Sequence, residues 1–303
     1  MYETQWLTAI AIFDLEDRYA RLRQGGESHP RPIGPVAMYL VGRMIDGQRQ
    51  DFAQPLELRV RRNPSGYYLF FGEVKQRDST LRRVDLAPGA YIIRVESQYY
   101  QVAERTDIVL PRYDAAYFFD LAPGFAYPFP AQVWKSHGPT LLRGNLYHRD
   151  GAGLAGALIE VAGQEQQGIN YRTDATGQWV LVFPYDQPST DIKVRFTLPD
   201  GTTKEVNAHI VHGRDTSLFQ TALRGWVLNE AGVGVRGATI RVEGRPGQTT
   251  TGSDGGWFYY FDLDQPAAQV RVTATLTDGR SRTQGNVPVQ PGATTVAPTF
   301  RFL

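Results

Sequence analysis

The sequence contains no cysteine. This excludes disulfides, thiolate metal sites, iron–sulfur clusters and thiol nucleophiles, and the fold needs no oxidising compartment. Lysine is also scarce and occurs only at Lys75, Lys135, Lys193 and Lys204, so arginine supplies the other basic residues. The sequence also has 16 tyrosines and 5 tryptophans. Enrichment in arginine, tyrosine and tryptophan is typical of protein-contact surfaces, because planar side chains lose little entropy on binding. A GC-rich genome would explain the arginine equally well, but not the tyrosine.

Long apolar runs and an excess of one charge are absent as well. No stretch approaches the roughly 20 apolar residues of a membrane-spanning helix, and the first residues lack the basic and apolar regions of a secretion signal. The 32 basic and 31 acidic residues give a net charge of +1, which predicts neither a nucleic-acid partner nor an anionic membrane surface. We therefore expect synthesis and folding in the cytoplasm, without membrane insertion.

An internal repeat organises the second half of the chain. Leu142–Gly144 recurs as Leu223–Gly225, and further matches follow in the same order, interrupted by one short deletion. Among these matches, Trp179 corresponds to Trp257. Because collinear matches with a single gap indicate a duplication, we interpret this half as two copies of one module.

Both copies, residues 140–221 and 222–303, are predicted to be β-sandwiches. Apolar and polar residues alternate in Ala157–Val161 and in Ala238–Val242, which is the period-two pattern of a half-buried strand. Turn residues recur about every 8–12 positions, as is typical of a sandwich. Helical periodicity is absent from both copies.

Three motifs of the first copy resemble the carboxypeptidase regulatory-like (transthyretin-like) domain: Arg143-Gly144, Asp150–Val161 and Thr173–Trp179. Their counterparts in the second copy are Arg224-Gly225, Gly237–Val242 and Ser253–Trp257. The resemblance covers the first half of each copy, whereas the family's closing Gly-x-Tyr-x-Val hairpin is missing from both. It implies a sandwich fold but no peptidase activity, because the zinc carboxypeptidases hold their metal ligands in a separate catalytic domain.

Residues 1–125 are predicted to form a divergent sandwich. Leu86–Val95 matches a hairpin that is common in transthyretin-like and immunoglobulin-like sandwiches, and Leu15–Arg23 is the one candidate helix. Residues 126–139 form a proline-rich linker, for which an extended, semi-rigid conformation is expected. The predicted fold is therefore all-β, with three tandem immunoglobulin/transthyretin-like β-sandwiches, the last two an internal repeat.

No motif in the sequence predicts catalysis, a cofactor or a metal. His209 and His212 are three positions apart on a predicted strand, so their side chains point to opposite faces and cannot chelate one ion. A dinucleotide-type glycine string, Gly232–Gly237, is followed by a strand pattern rather than by the helix that such a site requires. Asp174 and Asp254 lie in glycine turns, where an Asx turn is favoured over calcium binding. We predict a protein that is not an enzyme.

The first domain is the predicted docking end. Arginines cluster at the end of one strand, where they would contact a partner's carboxylates, and aromatic runs lie nearby. The candidate protein-contact residues are Arg59, Arg61, Arg62, Tyr67, Tyr68, Tyr113, Tyr117 and Phe118. In the second copy, a strand that is apolar on both faces predicts an aromatic patch at Phe258 and Tyr260, which is either exposed or covered by a neighbour.

These features together favour a structural or scaffolding protein that binds other proteins as a homo-oligomer within a larger assembly. Tandem sandwiches without disulfides or a secretion signal suit a cap, fibre, baseplate or decoration component of a bacterial phage-tail-like contractile injection particle. Such a particle is assembled in the cytoplasm and is later released or docked at a membrane. The alternative is a carbohydrate- or cell-surface-binding module whose exposed aromatics hold a glycan, and a third reading is a chaperone-like or carrier protein.

Overall fold

The computed structural model describes residues 9–23, 29–76, 79–130, 138–165, 169–184 and 186–303. The chain divides into two compact units, Met1–Phe129 and Pro130–Leu303. Strands dominate both units, so the predicted all-β class is confirmed. Within the described ranges, no helix has the length and apolar character to cross a membrane.

The first unit is built on one eight-stranded sheet with the order β7-β6-β2-β3-β4-β1-β8, in which β5 pairs with β4. The pairs are antiparallel except for β1 and β8, which run parallel. The elements are β1 (Ala11–Asp17), α1 (Arg18–Arg23), β2 (Ala37–Ile45), β3 (Gln48–Arg62), β4 (Tyr68–Lys75), β5 (Leu81–Arg83), β6 (Gly89–Ser97), β7 (Tyr100–Leu110) and β8 (Ala116–Leu121).

The candidate helix proves shorter than the sequence predicts. Leu15, Glu16 and Asp17 belong to β1, and α1 starts only at Arg18. Leu15 is fully buried in the sheet core, because it continues the alternation that begins at Ala11. Burial of this leucine side chain stabilises the strand more than a further helical turn would.

The sheet of the first unit folds over on itself. Strands β7 and β8 stand at opposite ends of the strand order, yet the Tyr117 hydroxyl donates to the Val109 carbonyl at 2.6 Å. Arg105 Nη1 donates to the Phe118 carbonyl at 2.8 Å. The two layers of this sandwich are therefore parts of one continuous sheet around a single core, to which Tyr127 contributes after the last strand.

The two repeats have the same strand order. In the first repeat (residues 140–221) the sheets are β11-β10-β13-β14 and β12-β9-β15, and in the second (residues 222–303) they are β18-β17-β20-β21 and β19-β16-β22. The first repeat contains β9 (Leu141–Asn145), β10 (Leu158–Val161), β11 (Asn170–Arg172), β12 (Gln178–Val182), β13 (Thr190–Thr197), β14 (Thr203–Ile210) and β15 (Asp215–Leu218). The second contains β16 (Ala222–Asn229), β17 (Thr239–Val242), β18 (Thr249–Thr250), β19 (Gly256–Tyr260), β20 (Ala268–Thr275), β21 (Ser281–Val289), β22 (Thr294–Val296) and β23 (Phe300–Phe302).

The two tryptophans occupy equivalent places, as the duplication predicts. Trp179 lies opposite Gly144 across β12 and β9, and Trp257 lies opposite Gly225 across β19 and β16. Both indoles are buried. A Cβ atom on either glycine would meet its indole at less than 3 Å, which explains why the arginine of each motif is followed by glycine.

Each repeat closes with a strand that runs parallel to its first strand. β15 pairs with β9 in the first repeat, and β22 and then β23 pair with β16 in the second. The repeats are thus completed without the closing hairpin motif of the family that they resemble. The Asp-Gly dipeptides at 200–201 and 278–279 lie in the hairpin turns that join β13 to β14 and β20 to β21.

The predicted linker lies partly outside the described residues, which exclude 131–137. At its start, Tyr127 and Phe129 pack against the core of the first unit rather than forming a free spacer. The domain boundaries at 125, 139 and 221 stay a prediction.

Candidate functional site

The three candidate arginines lie where β3 approaches its hairpin with β4. Arg59 is exposed and pairs with Glu73, with Nη1 3.3 Å from Oε2. The guanidinium of Arg61 lies over the Phe71 ring at 5.5 Å, and Arg62 is exposed at the strand end. Intramolecular partners thus hold two of these side chains in place while leaving them at the surface.

Arg59 also lines an open groove of about 870 Å³. Val36, Leu81 and Val102 contribute apolar side chains to the groove, and Glu57 and Lys75 contribute charges. Leu81 and Val102 are exposed. Sequence reasoning missed this groove, because its walls come from six strands, β2 to β7, and from their connecting loops, which lie far apart in the chain.

For two candidate contact residues, Tyr68 and Tyr117, the prediction of a surface contact is wrong because both side chains are buried. Tyr68 is 9% and Tyr117 is 3% exposed, and both belong to the core of the first unit. Since each follows the inward-facing alternation of its strand, these rings stabilise the fold and offer no surface to a partner. An aromatic run on a strand has two faces, and the sequence alone did not distinguish them.

The other aromatic candidates of the first unit are accessible to different degrees. Tyr113 is 60% and Phe118 is 39% exposed. Tyr67 is half-buried beneath the Arg31 guanidinium, which lies 5.2 Å from its ring centre. Arg21 takes the same position over Phe118, at 5.8 Å. The accessible set in this unit is therefore Arg59, Arg61, Arg62, Tyr67, Tyr113 and Phe118.

A buried carboxylate that the sequence did not single out holds the end of the first unit together. Asp17 is fully buried, and its Oδ2 accepts hydrogen bonds from the hydroxyls of Tyr100 and Tyr127, each at 2.7 Å. Its Oδ1 accepts from the Ala20 amide at 3.0 Å. Burial raises the pKa of both tyrosines well above the ordinary value, and the Asp17 charge raises it further.

Within the described ranges, one group has the composition of a metal site. Ligand atoms of Asp14, Glu16 and His29 lie within 4.8 Å of one another. However, Arg31 pairs with Asp14, and both Arg21 and His29 pair with Glu16. The arginines already neutralise the two carboxylates, so the group is an ion-pair network that a metal would have to disrupt.

The residues considered for metal binding in the repeats have separate partners. His209 Nδ1 lies 2.7 Å from Asp191 Oδ1, whereas His212 Nδ1 lies 2.8 Å from the Gln187 carbonyl. The turn carboxylates form Asx turns, as predicted. Asp174 Oδ1 accepts from the Thr176 and Gln178 amides, and Asp254 Oδ1 accepts from the Gly256 amide.

The predicted aromatic patch of the second repeat is partly covered. Phe258 is 43% exposed. Tyr260 is half-buried beneath Tyr147 of the first repeat, with ring centres 4.5 Å apart. The rings of Phe258 and Tyr260 are stacked in nearly parallel planes, with an interplanar angle of 14° and centres 6.1 Å apart. The neighbouring repeat therefore covers one ring and leaves the other open.

Several polar contacts join the two repeats at this point. Arg149 pairs with Asp262 at 3.0 Å, and its carbonyl accepts from the Tyr260 amide at 3.3 Å. Gln220 donates to the carbonyls of Tyr147 and Phe261. The Arg149 loop of the first repeat thus caps the free edge of β19, and we call these contacts the inter-repeat joint.

Comparisons with known proteins identify no family for this chain and only weak similarity to solved structures. No protein-family model matches the chain, and neither does any curated protein. Among solved structures, the streptococcal ancillary pilin is 11% identical with a TM-score of 0.22, over 96% of this chain and 98% of that one. The Bacillus anthracis TIE protein is 11% identical with a TM-score of 0.21, over 97% of this chain but 50% of its own. A major pilin subunit of Bacillus cereus, BcpA, is 10% identical with a TM-score of 0.19, over 96% of this chain and 98% of that one.

This chain therefore spans half of the TIE protein, and similarities at these TM-scores carry no argument about its fold or its function. The assignment to tandem β-sandwiches rests on the strands themselves. Membership of the carboxypeptidase regulatory-like family stays a prediction.

Proposed function

We propose that the protein is a non-enzymatic structural protein that binds other proteins within a larger assembly. The observation that carries this proposal is the inter-repeat joint, in which stacked rings, an ion pair and backbone hydrogen bonds fix one sandwich to the next. A connection of this kind suits a rigid spacer.

The first unit is the proposed docking end. It presents exposed arginines at the β3–β4 hairpin, together with Tyr113 and Phe118. Arginine and aromatic side chains dominate the binding energy of many interfaces. Because Arg59 and Arg61 are held by Glu73 and Phe71, less entropy is lost when a partner binds them.

The more specific proposal is a component of a bacterial phage-tail-like contractile injection particle. Its support is the combination of tandem sandwiches, a cysteine-free sequence and a balanced charge. Such a component folds without disulfides and needs no partner until assembly.

Truncation tests the docking end. We expect residues 1–135 to self-assemble or to co-purify with the partner from the native host, and residues 140–303 to be monomeric by light scattering. Arg62→Ala should weaken assembly of the full chain, whereas Arg271→Ala, an exposed arginine of the second repeat, should leave it unchanged. Assembly carried by residues 140–303 alone would contradict the assignment.

A further inference from the structure

The second repeat contains a counterpart of the loop that forms the inter-repeat joint. In both loops an amide donates to the carbonyl four residues further on, from His148 to Ala152 at 2.8 Å and from Asn229 to Val233 at 2.9 Å. Alignment of the two copies places Glu230 at the position of Arg149, and Leu228 at that of Tyr147. We call residues 228–233 the Glu230 loop.

The Glu230 loop is exposed, whereas the Arg149 loop is engaged with the next repeat through Asp262. Val233 is 60% exposed. Glu230 is exposed too, and no ion pair forms at its carboxylate within the described part of the chain. The loop is held in shape by Asn229, whose Oδ1 accepts from the Val233 amide at 2.9 Å. Its conformation is therefore fixed before any partner binds, which lowers the entropy lost on binding.

The first unit has an open edge strand, β5, which among the described strands pairs with β4 alone. The Thr80 carbonyl before β5 and the Val84 amide after it both make hydrogen bonds on the β4 side. Because the direction of hydrogen bonding alternates along a strand, the amides of Leu81 and Arg83 point away from β4. An edge of this kind can accept hydrogen bonds from another backbone.

The edge of β5 matches the surface on which the Arg149 loop docks. That surface offers the amide and the ring of Tyr260 and, two residues further on, the Asp262 carboxylate. β5 offers the amide and the 46% exposed side chain of Leu81 and, two residues further on, the exposed Arg83 guanidinium. Arg83 forms no ion pair with any described residue. The charges of the joint are thus reversed on both sides, because Glu230 stands in place of an arginine and Arg83 in place of an aspartate.

The open groove of about 870 Å³ lies beside β5, and Leu81 forms part of its wall. Val36 and Val102 are further apolar side chains of this wall, and Val102 is 62% exposed. Burial of a small apolar side chain against them would remove this surface from water. The groove therefore offers an apolar site next to the free amides and the free charge of β5.

We propose that the Glu230 loop of one copy docks on β5 of a second copy of this chain. The carbonyl of Glu230 then accepts from the Leu81 amide, its carboxylate pairs with Arg83, and Val233 enters the groove. This inference rests on the proposed docking role of the first unit, and it names a second copy as the partner. Residues 140–303 lack β5, so this contact leaves that fragment monomeric.

Sedimentation velocity of the full chain tests the contact through two charge reversals, Glu230→Arg and Arg83→Glu. We expect the wild type to associate as its concentration rises to about 100 μM, a range that detects weak interfaces. Each variant alone should associate about tenfold or more weakly, because like charges then face each other. An equimolar mixture of the two variants should recover the association, because each variant supplies the charge that the other lacks.

Glu243→Arg and Arg271→Glu are the matched controls, because they reverse the two charges of an exposed ion pair within the second repeat. Both should associate like the wild type. Val233→Ser removes an exposed apolar side chain without a change of charge, and it should weaken the association. Circular dichroism of each variant identifies any loss that comes from misfolding.

The proposal is overturned if the wild type stays monomeric over this range, if either charge reversal alone associates like the wild type, or if the mixture associates no better than its components. Co-purification of residues 1–135 with another protein would then still support the docking end, with a different partner. Assembly carried by residues 140–303 alone would instead contradict the docking end itself. The two failures are therefore distinguishable.

Discussion

In each repeat a tryptophan indole packs on a glycine. This contact determines which residues the glycine position tolerates. A Cβ atom added to Gly225 would lie 2.7 Å from Cζ2 of Trp257. We expect Gly225→Ala to lower the free energy of unfolding by about 1–3 kcal/mol, because the buried indole has no room to move. Urea denaturation measures the loss.

Gly285 is the matched control for this substitution. It also lies on a strand of the second repeat, and a Cβ atom added there meets nothing within 4 Å. Gly285→Ala should therefore be nearly neutral. Equal effects of the two substitutions would show that strand propensity, rather than the tryptophan contact, sets the requirement for glycine.

The buried Asp17 makes the stability of the first unit sensitive to alkali. Tyr100 and Tyr127 donate to its carboxylate, and their pKa values are raised in the folded state. Their contribution is complete below the pKa of an unfolded tyrosine, about 10, and is lost as the pH rises from there towards the folded values. We therefore expect the free energy of unfolding to fall above about pH 10.

Tyr127→Phe separates this effect from general alkaline denaturation. The variant should be less stable at neutral pH, because Asp17 loses a donor, and its stability should fall less steeply above about pH 10. Tyr113→Phe alters an exposed ring and should follow the wild type. Denaturation curves between pH 8 and 12 distinguish the three proteins, and identical slopes would rule out a role for the shared carboxylate.

At the scale of elements, the inter-repeat joint depends on one loop of the first repeat. Arg149 pairs with Asp262 and accepts the Tyr260 amide, while Tyr147 covers Tyr260. We expect the double substitution Tyr147→Ala and Arg149→Ala to uncouple the repeats, so that protease cleavage between β15 and β16 becomes faster. Arg195→Ala removes an ion pair within the first repeat and should leave cleavage unchanged.

Local periodicity was sufficient to predict the strands β10 and β17, because alternation of apolar and polar residues reports directly on a half-buried strand. Local periodicity predicted a helix that starts too early, at Leu15, because this residue fits a helix pattern and a strand pattern equally well. It also failed to separate Tyr68 and Tyr117 from the exposed aromatics. No local pattern indicates the hydrogen bonds of Tyr100 and Tyr127 to Asp17, the groove or the inter-repeat joint, because each depends on residues that meet only after folding.

On the scale of the whole molecule, the parallel closing strands determine how the repeats would respond to mechanical load. Because β15 runs parallel to β9, the chain starts a repeat at one end of that sheet and leaves it at the other. Tension applied through the termini would slide the two strands lengthwise, so all of their hydrogen bonds are strained together rather than one after another. In the second repeat β16 has three registered pairs with β22 and three with β23, whereas β9 and β15 share four. In a single-molecule pulling experiment we expect both repeats to resist in shear, and the second to rupture at the higher force.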